Sequence, residues 1–200
     1  MQEGLSISVK TRVPVHVSVY FAGILALCFA AGPAGRIALG LAFAALHEAG
    51  HLAAMAAFHV RVSRVCLTAA GMRIERPPGL QTNFTREILI ALAGPGVSLL
   101  LAGIFYALHR AIPSRLPPDP SRLNLGFGLF NLLPVRQLDG GRALYFLLCK
   151  RVSEAAAARA VQIASLACLF LAATGAALLC LRQGFSLSLV LAVAYLAAGC

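Results

Sequence analysis

Acidic residues are scarce: 7 Asp and Glu in 200 residues, with charged residues of both signs making up only 12% of the chain. Soluble globular domains carry about twice that fraction, ~25%. A chain this short that is 60% hydrophobic has too little interior to hide its apolar surface from water. Disorder is excluded by the same shortage, because disordered segments are polar and charge-rich. No Cys-x-x-Cys pair occurs among the six cysteines, most of which lie inside apolar runs. Thiols so placed behave as small hydrophobes, so neither a disulfide framework nor a cysteine metal site is expected. No 20–50-residue repeat and no soluble domain of any size is visible, which leaves an integral membrane protein.

The net charge of +10 does not indicate nucleic acid, because the arginines are scattered between apolar runs without a basic helix face. They read instead as anchors for anionic lipid. With the N-terminus inside, cytoplasmic segments hold Lys10, Arg12, Arg61, Arg64, Arg73, Arg76, Arg86, Lys150, Arg151 and Arg159. The opposite side holds Arg36, Arg110, Arg115, Arg122 and Arg182. This twofold bias favours that orientation.

Stretches free of charge define the spans. Val13 to Gly35 is the first, kept as a retained helix rather than a cleaved signal peptide, followed by a tight turn at Gly32-Pro33-Ala34-Gly35. Arg36 to Phe58 is the second. Val60 to Glu75 alternates charged and apolar residues around Ala70-Gly71 and predicts a β-hairpin. Ile88 to Leu108 is the third span, and the proline-rich stretch His109 to Arg122 is a loop. Leu123 to Cys149 is a fourth, broken at Pro134, Arg136 and Asp139-Gly140-Gly141; such breaks are tolerated where they are buried or line a cavity. Ala160 to Leu181 and Gln183 to Cys200 complete about six transmembrane helices. The expected fold is thus an all-α integral membrane protein with a broken fourth helix and a small membrane-associated hairpin. It forms one domain over residues 1–200, with a core over 13–150 and additional helices over 152–200.

The strongest local signal is His47-Glu48-Ala49-Gly50-His51. Residues four apart share a helix face, so both imidazoles can ligate one Zn²⁺ while the Glu between them reaches a metal-bound water. Chance produces the pattern in roughly 0.3% of chains of this composition. A charge at mid-helix in a bilayer costs ~2.5–3.5 kcal/mol, so ionisable groups there usually function. The plain alternative is a structural His–Glu hydrogen-bond cluster.

A catalytic zinc needs three protein ligands, and Asp139 is the other carboxylate within a predicted span. His47 and His51 lie about 16 and 23 Å past Arg36 at helical rise, and Asp139 about 25 Å past Arg122 if its helix stays regular. The three can therefore meet towards the cytoplasmic side. A helix N-cap for Gly140 to Lys150 is the plain account of Asp139. Asn131 either satisfies a backbone carbonyl near the Pro134 break or binds substrate peptide or oxyanion, with neither favoured. Arg136 and Arg142 are read as snorkelling to lipid head groups.

His47 and His51 around Glu48, Ala93-Gly94-Pro95, and Asn131-x-x-Pro134 before Leu138-Asp139-Gly140-Gly141 together resemble the site-2 protease family. His16 and the Arg61–Glu75 hairpin look like its sporulation subgroup. The resemblance implies an intramembrane zinc metalloprotease in which His47, His51 and Asp139 hold Zn²⁺, Glu48 is the catalytic acid/base and Asn131 binds substrate. It further implies a membrane-associated protein substrate, such as a sigma-factor precursor, and inhibitory membrane partners. The setting would be a bacterial inner or forespore-surrounding membrane, with the active site towards the cytoplasm. Ser98, where relatives often carry Asn, Ala70-Gly71 in place of Gly-Gly, and the lack of a nucleotide-sensing domain after Cys200 depart from the pattern. They bear on substrate and regulation, and leave the metal ligands untouched. Intramembrane His, Asp and Glu also serve metal-ion or proton transporters, and a non-catalytic metal-binding scaffold is a third possibility.

Overall fold

The computed structural model describes residues 6–9, 15–18, 33–60, 62–68, 71–75, 83–112 and 119–183, and the isolated positions 193, 194 and 197. The chain divides into two units, Met1–Thr82 and Asn83–Cys200.

The first unit holds a four-stranded sheet and one long helix. Strands β1 (Ser6–Val9) and β2 (Val15–Ser18) pair antiparallel, with Ser6 opposite Ser18 and Val9 opposite Val15. Strand β2 pairs parallel with β3 (Arg64–Thr68), placing Val15 beside Val65 and His16 beside Cys66. Strand β4 (Gly71–Glu75) pairs antiparallel with β3, from Arg64 opposite Glu75 to Thr68 opposite Gly71. The order is β1-β2-β3-β4. A parallel pair requires a long crossover, and the one between β2 and β3 contains the helix α1 (Ala34–Ala57).

This corrects the first expected span. A helix starting at Val13 is excluded because Val15-His16-Val17-Ser18 is a strand. Its β-branched and polar residues alternate with the period of two that a pleated ladder selects; the rest of that span up to residue 32 lies outside the described residues. Ala34 and Gly35, expected in a turn, instead form the first turn of α1 behind Pro33 as N-cap. Proline suits a helix start, where no N–H partner is needed.

At its other end α1 stops without glycine. His59 adopts φ 54°, its N–H bonds to the Ala56 carbonyl at 3.0 Å, and that of Val60 to Met55 at 2.8 Å. These are the paired bonds of a Schellman cap, and burial of both Met55 and Val60 supplies its usual hydrophobic contact.

The second unit is helical. Helix α2 (Phe84–Ala111) opens on Asn83, whose Oδ1 accepts from the Thr85 N–H at 2.9 Å, so it begins before the expected Ile88. Its buried stripe runs through Glu87, Ile90, Ala91, Gly94, Pro95, Ser98 and Ala102, the spacing of one helix face. Helix α3 (Asp119–Asn131) begins inside the stretch read as a loop. Asp119-Pro120 combines a first-turn acid with a proline near the helix start, both favourable there. Helix α3 runs antiparallel to α2: Ser121 donates to the Ala102 carbonyl at 3.0 Å, while Gly128 lies against Leu99 and Pro95. A Cβ at Gly128 would stand 2.8 Å from Leu99 Cδ2, so glycine sets that close approach.

Helix α4 (Asp139–Cys149) follows a non-helical break at residues 132–138, and helix α5 (Glu154–Gln183) completes the unit. Phe84 of α2 stacks on Phe146 of α4 with ring centroids 6.2 Å apart. Among the described residues α1, α2 and α5 are long and apolar enough to cross a membrane, whereas α3 and α4 are separately too short. Gln183–Cys200, the last expected span, lies almost wholly outside the described residues.

Candidate metal centre

His47 and His51 project from one side of α1, on a buried stripe with Phe43, Gly50 and Met55. Each imidazole is only 5% exposed. Their Nε2 atoms converge to 3.4 Å with the rings nearly perpendicular, at 75°. Two nitrogens on a tetrahedral zinc with bonds of ~2.05 Å stand about 3.3–3.4 Å apart. The pair therefore matches one edge of a zinc tetrahedron, and the four-residue spacing on a straight helix is sufficient to build it. Glu48, the next residue, is half-buried.

Asp139 belongs to the second unit. It is 9% exposed and is the first residue of α4, with Leu138 as the N-cap. The cap account of Asp139 is thereby corrected: the carboxylate stands in the first helical turn rather than capping it. A carboxylate there is favoured by the amide dipoles of the helix start. The 25 Å reckoned along a regular helix also falls, because residues 132–138 are not helical.

The break is tightly built. Leu132 N–H bonds to the Gly128 carbonyl, Leu133 to Phe130, Val135 to Leu133, and Leu138 to Val135. A Cβ on Gly140 would collide with the Leu132 and Leu133 carbonyls, and one on Gly141 with the Val135 carbonyl and the Arg136 nitrogen. The paired glycines thus let the first turn of α4 rest directly on the backbone of the break.

Asn131 ends α3 half-buried, and its Nδ2 donates to the Phe127 carbonyl at 3.0 Å. This bond uses one of the two amide N–H donors and leaves the second for another acceptor. The side chains of Arg136 and Arg142 are exposed. Cys168 packs with Leu169 and Ala172 against Val135 and Leu138, the role of a small hydrophobe.

Three buried polar groups escaped the sequence reading. Glu87 is 3% exposed and Asn124 and Ser165 are fully buried. Glu87 falls one residue before the predicted third span, where a charge reads as a flank. Asn124 lies in an apolar run that gives no sign of which face packs; its Nδ2 donates to the Pro120 carbonyl, while its Oδ1 is buried without a partner among the described residues.

Comparison with known proteins follows the same parts. Residues 121–174, covering most of α3, the break, α4 and most of α5, match Peptidase family M50. The chain is 30% identical over 142 residues to stage IV sporulation protein FB of Bacillus subtilis, covering 69% of this chain and 49% of that protein. It is 29% identical over 113 residues to a zinc metalloprotease of Methanocaldococcus jannaschii, covering 53% of this chain and 32% of the relative. The chain therefore spans about half or less of these curated relatives. The solved structure of a site-2 protease from Methanocaldococcus jannaschii superposes with a TM-score of 0.65 at 23% identity, over 98% of this chain and 93% of the other. Residues 121–174 thus carry the signature of Peptidase family M50 on a chain with the site-2 protease fold, the family its motifs resemble.

Proposed function

We propose that this chain is an intramembrane zinc metalloprotease, with His47, His51 and Asp139 as metal ligands and Glu48 as general acid/base. The convergence of the two Nε2 atoms at 3.4 Å carries this reading. Two imidazoles and a carboxylate are a donor set that suits catalytic zinc. Bound zinc supplies Lewis acidity, lowering the pKa of water to about 7 and polarising a carbonyl.

Glu48 takes a proton from the attacking water as its oxygen bonds to the scissile carbonyl carbon. It then delivers that proton to the amide nitrogen as the C–N bond breaks, so one carboxylate serves both half-steps. Both imidazoles are buried, so a neighbouring side chain has little room to displace them. Asn131 offers its second N–H and Oδ1 to the substrate backbone.

A helical substrate has its carbonyls occupied and must unwind before attack. The sheet order leaves β4, not β3, at an edge, and an extended substrate would add to β4 by strand pairing. The substrate class is a membrane-associated protein. A sigma-factor precursor is the specific candidate, supported by the likeness to the sporulation protein, and inhibitory membrane proteins are the corresponding regulators. The site faces the cytoplasm, supported by the twofold excess of basic residues on that side.

Co-expression with a candidate precursor and metal analysis of the purified protein test this together. Wild type is expected to shorten the precursor and contain about one zinc per chain. Glu48→Gln is expected to keep the metal and lose cleavage, whereas His47→Ala and Asp139→Asn lower zinc occupancy and cleavage together. Full zinc in both ligand variants, or an active Gln variant, would reject the assignment. Uptake of zinc or protons into liposomes without peptide cleavage would establish a transporter instead.

A further inference from the structure

The non-helical break between α3 and α4 must find partners for its backbone polar groups. Most of its N–H bonds close locally, but that of Arg136 does not: it bonds to Ser165 Oγ on α5 at 2.9 Å. Ser165 is fully buried, and its own proton goes back to the Val161 carbonyl at 2.8 Å, which leaves the oxygen lone pair directed at Arg136. One and two turns further along α5, Cys168, Leu169 and Ala172 pack on Val135 and Leu138.

The peptide unit joining Val135 to Arg136 is therefore held on two sides. Ser165 grips its N–H, and Gly141 presses on its carbonyl and nitrogen so closely that no side chain fits between. Gly141 is two residues from Asp139, within the same helical turn. We propose that Ser165 is a positioning residue, setting the Asp139 carboxylate through the Val135–Arg136 peptide and the first turn of α4. Helix α5, outside the 13–150 core expected from sequence, then becomes a structural part of the metal site. The inference rests on Asp139 being a metal ligand.

The test uses the full chain in detergent, comparing wild type, Ser165→Ala, Asp139→Asn and the double variant. Ser165→Cys is a volume-conserving second probe whose sulfur is only a weak acceptor. Zinc affinity is read by competition with a chromophoric chelator, and the Arg136 amide by hydrogen exchange. Replacing a direct outer-sphere partner of a ligand costs about 10–100-fold in metal affinity; Ser165 acts one step further out, so a loss of about threefold to tenfold is expected for Ala, and a smaller one for Cys. Arg136 exchange should quicken in both. In the Asp139→Asn background, Ser165→Ala should change zinc affinity no further, because the route through Asp139 is already cut. An equal loss in both backgrounds would overturn the positioning role in favour of general destabilisation. Faster Arg136 exchange with unchanged zinc affinity would also overturn it. Unchanged affinity in Asp139→Asn alone would instead remove the ligand assignment beneath it.

Discussion

At the scale of the residue, the proposed chemistry depends on a few side chains in an apolar chain. His47 and His51 gain from a regular helix, since a four-residue step brings their Nε2 atoms to 3.4 Å without any loop. Asn131 differs, because its Nδ2 bond to Phe127 gives it a structural part alongside any role in binding. Asn131→Ala is expected to raise KM several-fold with a smaller change in kcat and zinc content unaltered. Steady-state kinetics on a peptide substrate, with metal analysis of the same sample, checks this; loss of zinc would make the residue structural. The convergence of the two histidines was legible in sequence because their spacing is a local property. Glu87, Asn124 and Ser165 were not, because a polar residue in or beside an apolar run has no visible partner until helices pack.

At the scale of the element, the joints are more demanding than the rods. A methyl group at residue 141 would meet the Val135 carbonyl, so the backbone must move to admit it. Gly141→Ala is expected to destabilise by about 1–3 kcal/mol, the usual cost of overpacking, and to weaken zinc binding by shifting the turn that bears Asp139. Thermal unfolding and chelator competition measure the two effects; wild-type values in both would refute the tight seating. The cap of α1 predicts the opposite sign. His59 occupies the left-handed region at φ 54°, where a side chain costs roughly 1 kcal/mol that glycine avoids. His59→Gly should raise stability by about that amount, with zinc content unchanged. The break itself was visible as Pro134 and Gly140-Gly141 in an apolar run, yet its seating on α5 was not. Strand β2 was misread as helix because a short apolar run suits either period until its pairing partner is known.

At the scale of the whole molecule, the shortage of charge and the long apolar helices α1, α2 and α5 govern where the chain resides. The orientation drawn from basic residues puts the segment around Ser63 inside and that around Ser114 outside. In a cysteine-free background, an impermeant maleimide should label Ser114→Cys in intact cells and Ser63→Cys only after permeabilisation. The reverse pattern would turn the site away from the cytoplasm.

Membrane residence, the helix bearing His47, Glu48 and His51, and the interruption before Asp139 were determined by the sequence alone. Each depends on composition or on separations of a few residues, where covalent geometry and helical period leave little freedom. Only tertiary structure decided that β2 joins a four-stranded sheet, that Gly140 and Gly141 support backbone rather than merely bend it, and that Ser165 takes the Arg136 N–H. Those outcomes turn on which distant groups meet. In an apolar chain many faces can pack, and the final choice falls to close contact and to the few buried polar groups that must find partners.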